Sequence, residues 1–166
     1  MGLRNTVRCG CCSALMAMCA WLAVPMGDIR LTMQTFGVFL SFLLLGGSKG
    51  TAACGAYLLL GAVGIPVFSG FQGGIGVLLG PTGGYLWGFL LSGILFRLLE
   101  RRLPSWTVLI LCQLVCYLAG TLWFYYGYTH SGFGWVLLKC VVPYLIPDAF
   151  KLMLAWMLGS RLKNKV

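Results

Sequence analysis

The sequence of 166 residues is 60% hydrophobic and only 9% charged, with a formal net charge of +9 and a mean hydropathy of +0.92. Soluble domains carry about 25% charged residues, and a soluble fold could not hide this much apolar surface. The composition therefore excludes a secreted disulfide scaffold and a disordered tail. It also excludes a nucleic-acid-binding domain, because the basic residues are confined to short segments between apolar stretches. It indicates an integral membrane protein.

Six apolar stretches follow one another and take up nearly the whole chain. They run over residues 9–26, 31–46, 51–65, 76–96, 106–126 and 134–158. A helix needs about 20 mostly apolar residues to cross a hydrocarbon core of about 30 Å, and the second and third stretches are short by that measure. We therefore expect an all-α fold: a single domain over residues 1–166, built as an integral membrane bundle of six transmembrane helices.

The basic residues predict how the bundle is oriented. If the chain crosses the membrane six times, nine of them fall on one side, namely Arg4, Arg8, Lys49, Arg97, Arg101, Arg102, Arg161, Lys163 and Lys165. The other side has Arg30 and a loop that contains the single histidine, His130. Because cytoplasmic loops carry an excess of Lys and Arg, both termini should be cytoplasmic. A signal peptide over the first stretch is the alternative, but no convincing cleavage site follows near residues 23–26.

The eight cysteines do not predict a metal site or redox chemistry. Cys112 and Cys116 lie four residues apart, but a tetrahedral zinc site needs more ligands than these two. Cysteine in an apolar helix more often acts as a small buried hydrophobe. We expect no metal and no cofactor.

The connection between the third and fourth stretches is unusual for an exposed loop. Residues 64–76 contain five glycines, the aromatic residues Phe68 and Phe71, and no charge. A flexible connector is the simpler interpretation, yet a loop in water is normally polar. The segment is more typical of a lid that folds back over a pocket. It leads into Gly80–Tyr85, where two successive glycines leave space for a neighbouring helix or a ligand.

The sixth stretch contains Asp148 and Lys151, which lie three residues apart and so share a helix face. Ionised residues inside an apolar span are costly and are candidates for a functional site. A structural ion pair in a kinked helix is the alternative, since Pro143 and Pro147 should interrupt the helix and restart it near Pro147. Lys139 can extend to the interface and needs no function.

Four segments carry a further pattern: LTMQTFG at 31–37, LLLGAVGIPVF at 58–68, GGIGVLLGPTGGYL at 73–86 and PDAFK at 147–151. Together they resemble the BioY family, the biotin-binding S-components of energy-coupling-factor (ECF) transporters. The resemblance implies a six-helix S-component in the bacterial cytoplasmic membrane, with a vitamin pocket under the first and third loops. It also implies docking on a transmembrane coupling protein driven by two ATPase subunits. Asp148, Lys151 and Tyr85 match ligand positions of the family.

Biotin has two ureido N–H donors, one ureido carbonyl, an apolar thioether ring and a carboxylate. Asp148 can accept from the N–H groups, and Lys151 or Tyr85 can donate to the carbonyl. We expect apolar walls from Phe36, Phe68, Phe71 and Tyr144, and carboxylate contacts from Gln34, Gln72 or Arg30. The alternatives are an S-component for another vitamin, a membrane enzyme that uses Asp148 and Lys151, and a purely structural subunit.

Small residues repeat four apart in the first stretch, as Gly10–Ala14 and Ser13–Ala17. Such a face allows close helix packing. The family resemblance implies that it meets the coupling protein, whereas packing within the bundle is the alternative.

Overall fold

The computed structural model describes residues 2–26, 29–129 and 132–162, and these contain seven helices and one β-hairpin. The bounds are α1 Leu3–Trp21, β1 Ala23–Met26, β2 Ile29–Thr32, α2 Gln34–Ala62, α3 Ile75–Leu78, α4 Gly83–Leu99, α5 Ser105–Tyr128, α6 Phe133–Cys140 and α7 Val142–Leu162. His130, Lys163 and Lys165, used above for the orientation, lie outside the described residues. The prediction of a predominantly helical chain is confirmed.

The hairpin corrects the all-α expectation. Helix α1 ends at Trp21, five residues before the predicted end of the first stretch, and β1 pairs antiparallel with β2. Pro25 lies in β1 opposite Arg30. Proline has no N–H for a helical hydrogen bond, which explains why the helix does not continue through this apolar run.

Helix α2 is broken at Gly46, whose φ of 75° and ψ of 166° are not helical. Its two arms, 34–45 and 47–62, correspond to the second and third apolar stretches. The Gly47 N–H after the break donates to Glu100 Oε2 over 2.8 Å, and nearby the Lys49 ammonium donates to Asn5 over 3.0 Å. These contacts bring the start of α1, the break in α2 and the end of α4 to one end of the bundle.

Glycine determines how closely the helices pack. Helix α2 is central and packs on α1, α4 and α7, while α4 packs along α5. At Gly84 an added Cβ would collide with Trp123, and at Gly88 it would lie 3.1 Å from the Cα of Cys116. Small residues at such contacts allow helix backbones to approach each other in a membrane.

The fourth stretch forms its long helix later than predicted, and the sixth stretch is broken at a different residue from the one predicted. Residues 75–78 form the short helix α3, and the long helix α4 starts only at Gly83. The sixth stretch is broken at Val141 rather than near Pro147, which lies inside α7. Pro143 falls in the first turn of α7, where a missing N–H leaves no helical hydrogen bond unmade.

Two helices of the described residues are long and apolar enough to cross a bilayer, Gln34–Ala62 and Ser105–Tyr128. Helix α4 is apolar but shorter.

Candidate functional site

A cavity of about 720 Å³, its open mouth included, lies between the hairpin, the segment 63–74 and helices α2, α4, α5 and α7. Its lining includes Arg30, Gln34, Thr35, Phe68, Ser69, Tyr85, Phe89, Gln113, Tyr117, Tyr144, Asp148 and Lys151. The lining therefore combines aromatic and apolar side chains with about as many polar and charged ones.

The charged centre of this cavity is an ion pair on α7. The Lys151 ammonium donates to Asp148 Oδ1 over 2.7 Å, and the two residues are only 5% and 6% exposed. From α5, the Gln113 amide and the Tyr117 hydroxyl both donate to Asp148 Oδ2, over 3.0 and 2.7 Å. Desolvating two charges is costly, and these additional hydrogen bonds are what makes a buried pair tolerable.

Aromatic residues form the walls, and glycines make room for two of them. Tyr85 donates its hydroxyl to the Cys140 carbonyl over 3.0 Å, and its ring lies on Gly120. Phe68 lies edge-on to Tyr57 with 5.5 Å between ring centroids, and its ring fills the space above Gly61. An added Cβ at either glycine would overlap the aromatic ring, so each ring can occupy its position only because the facing residue is glycine.

The segment 63–74 is held over the cavity by the hairpin and by the end of α1. Arg30 donates from its Nη1 to the Ser69 carbonyl over 2.7 Å. The Trp21 indole donates to the Pro66 carbonyl over 2.9 Å and stacks on Phe71 at 5.0 Å. Phe68 and Ser69 contribute to the cavity lining, so this segment forms part of the pocket.

The structure brings six of the nine predicted ligand residues to the cavity: Asp148, Lys151, Tyr85, Gln34, Phe68 and Tyr144. Arg30, the third candidate for the carboxylate, also lines it. Phe36, Phe71 and Gln72 lie outside the described lining. Phe36 packs against the hydrophobic core instead, because helix positions two residues apart, such as Gln34 and Phe36, face different directions.

Phe71 and Gln72 point away from the cavity because the segment turns at this point. Phe71 has a positive φ of 56°, is 64% exposed and stacks on Trp21. Gln72 borders a separate shallow groove beside Gly73 and Pro81.

Gln113 and Tyr117 were missed by sequence reasoning, although a signal was present. A glutamine inside an apolar span is costly, which is the criterion that singled out Asp148. Tyr117 follows four residues later and therefore lies on the same helix face.

The four small residues of α1 do not share one environment. Ser13 and Ala17 are buried. The Ser13 hydroxyl donates to the Ala53 carbonyl on α2 over 2.8 Å. Packing within the bundle thus accounts for this pair. Gly10 and Ala14 are exposed.

The family model described as "BioY family" matches residues 1–166. The chain belongs to the BioY family. Among its BioY relatives, the biotin transporter BioY of Thermotoga maritima is 36% identical, over 98% of this chain and 97% of the relative. The probable biotin transporter BioY of Pyrococcus horikoshii is 37% identical over 91% of both chains.

The fold is similar to a solved structure, described as the S-component for biotin from an ECF-type ABC transporter. The TM-score is 0.87 at 23% identity, over 98% of this chain and 92% of the other. This BioY chain therefore shares the fold of that structure.

Proposed function

We propose that this chain is the biotin-binding component of an ECF-type uptake transporter, and that its cavity is the biotin site. The observation that carries the proposal is the buried Asp148–Lys151 pair, which lines a cavity in a chain of the BioY family. Family membership makes the chain a transport protein rather than an enzyme. The whole of residues 1–166 forms the single functional domain.

The cavity suits the three chemical parts of biotin. Asp148 and Lys151 offer an acceptor and a donor to the ureido ring, and Phe68, Phe89 and Tyr144 offer apolar walls to the thioether ring. Arg30 is the best candidate for the carboxylate, because it carries a full charge. Gln34 already donates one N–H to Tyr57 over 2.8 Å, and Gln72 lies outside the cavity lining.

Binding of tritiated biotin to the purified chain tests this proposal. We expect saturable binding, with biotin recovered chemically unchanged after dissociation. Conversion of biotin would favour a membrane enzyme acting through Asp148 and Lys151. Absence of binding by folded protein would contradict the proposal.

The proposed topology has six crossings of the bacterial cytoplasmic membrane, with both termini in the cytoplasm. It is supported by the contacts at one end of the bundle, where Asn5 meets Lys49 and Gly47 meets Glu100. The same end has most of the basic residues. The hairpin and segment 63–74 lie at the opposite end, so the cavity would open outward.

Single cysteines at Arg102 and Gln72, in a chain cleared of its eight native cysteines, test this topology. Both positions are exposed. An impermeant maleimide should label Gln72→Cys in intact cells, and Arg102→Cys only after the membrane is opened. Labelling of both in intact cells would contradict the six-crossing arrangement.

We further propose that the exposed face of α1 docks on a transmembrane coupling protein, which two ATPase subunits drive. Gly10 and Ala14 lie on this face, with the apolar residues Val7 and Met18 on either side. Two small residues four apart permit a partner helix to approach closely. Of the four small residues of α1, only Gly10 and Ala14 are therefore assigned to the coupling interface. Ser13 and Ala17 are buried and stabilise the bundle instead.

Ala14→Trp should separate coupling from binding. A bulky ring on this face would prevent close helix approach, so co-purification with the coupling protein and biotin uptake should be lost while biotin binding is kept. The control is Leu118→Trp, which puts the same ring on the exposed face of α5 and should leave uptake unchanged. Normal uptake by Ala14→Trp would remove this face from the interface.

Gly120→Ala should weaken biotin binding through Tyr85. The added methyl would overlap the Tyr85 ring, and overpacking of this kind costs about 1–3 kcal/mol of stability. The matched control is Gly127→Ala on the same helix, where no atom lies within 4 Å of the new methyl. Gly120→Ala should lower both the unfolding temperature and the biotin affinity, whereas Gly127→Ala should lower neither. Equal biotin affinities would exclude Tyr85 from the site.

A further inference from the structure

Asp148 has less free hydrogen-bonding capacity than an isolated carboxylate. Its Oδ2 accepts from Gln113 and Tyr117, and its Oδ1 accepts from Lys151. A carboxylate has about four lone-pair positions, so about one remains, on Oδ1. A cyclic urea presents two N–H donors. Asp148 can therefore satisfy one of them, and the other needs a second acceptor in the cavity.

Gln113 has such an acceptor. Within the described part of the chain its Oε1 is buried and has no hydrogen-bond partner, and the residue is only 6% exposed while lining the cavity. The amide orientation is fixed, because its Nε2 donates to Asp148, whereas the reverse orientation would bring Oε1 against the carboxylate. A buried acceptor is costly when no donor reaches it. A ligand N–H would satisfy it.

We propose that Gln113 is a specificity-determining residue, whose Oε1 accepts one ureido N–H while Asp148 Oδ1 accepts the other. This inference rests on the proposed function, since it takes biotin as the ligand. Lys151 has three ammonium protons, of which one goes to Asp148, so a second is available for the ureido carbonyl. The cavity thus presents two acceptors and one donor, which complement the two donors and one acceptor of a cyclic urea.

Gln113→Leu removes the acceptor and keeps a side chain of similar size. We expect its affinity for biotin to fall about tenfold, the loss of one hydrogen bond in a dry site. Two cyclic carbamate analogues of biotin, each with an oxygen in place of one ureido N–H, identify the contact. One of them should bind Gln113→Leu as well as it binds the wild-type chain, because it lacks the N–H that Gln113 accepts. The other should lose about the same factor as biotin.

The control is Thr121→Val, which changes another buried polar side chain of α5, one that does not line the cavity. It should bind biotin like the wild-type chain, and an equal tenfold loss there would overturn the inference. Unchanged biotin affinity in Gln113→Leu would also overturn it and leave the proposed function intact. A wild-type chain that does not bind biotin would instead contradict the proposed function.

A crystal structure of the wild-type chain with biotin gives the answer without a variant. Gln113 Oε1 should lie within about 3.2 Å of one ureido nitrogen and Asp148 Oδ1 within the same distance of the other. Both nitrogens on Asp148 would overturn the inference.

Discussion

Asp148→Asn should weaken biotin binding about ten- to a hundredfold, the loss of a charge-assisted hydrogen bond worth roughly 1.5–3 kcal/mol. The substitution keeps the size and shape of the side chain. Asp148 accepts from Lys151 on one oxygen and from Gln113 and Tyr117 on the other. Whichever way the new amide turns, its NH₂ group faces a donor. Isothermal titration of biotin into monodisperse protein measures the loss.

Glu100→Gln is the matched control for this prediction. It makes the same chemical change in a carboxylate that accepts from the Gly47 N–H at the other end of the bundle. We expect it to bind biotin with the wild-type dissociation constant. If Asp148 had only a structural function, Asp148→Asn would lower the yield of folded protein, and the surviving protein would bind biotin normally. A wild-type constant for Asp148→Asn would exclude Asp148 from the site.

Lys151→Met should reduce both stability and biotin affinity, since it leaves Asp148 as a buried charge without its cation. Breaking a buried ion pair on one side costs about 3–5 kcal/mol. The double variant Asp148→Asn/Lys151→Met has no unpaired charge. Its loss of stability should therefore be smaller than the sum of the two single losses, by about 0.5–3 kcal/mol.

Thermal unfolding of the four proteins without ligand measures this coupling. The same four proteins titrated with biotin should show a second coupling, because both residues contact one ligand. Additive losses in both experiments would contradict a shared network between Asp148 and Lys151.

The helical part of the fold could be predicted because apolar stretches of about the length of a membrane span follow one another along the chain. The break between the second and third stretches coincides with Gly46, where a positive φ favours glycine. The hairpin could not be predicted in this way, since β1 is apolar and continues the run of α1. The restart of the last helix was predicted near Pro147, whereas that proline lies inside α7 and the break comes at Val141, just before Pro143 in the first turn.

Asp148 and Lys151 could be predicted because charged residues stand out in an apolar span. Gln113 and Tyr117 are uncharged and so give a weaker signal. Their contact with Asp148 depends on the approach of α5 to α7, which the sequence pattern does not show. Phe36 illustrates the opposite error. It lies close in sequence to Gln34, yet its side chain does not line the cavity and packs, partly buried, against the hydrophobic core.

The central claim is that the cavity binds biotin, and a titration of the purified chain with a panel of vitamins tests it most directly. Biotin, thiamine, riboflavin and folate should each be titrated into wild-type protein and into Asp148→Asn. The account predicts tight saturable binding of biotin alone, weakened about ten- to a hundredfold in the variant. Tighter binding of another vitamin, or no binding of biotin by the folded wild-type chain, would contradict it.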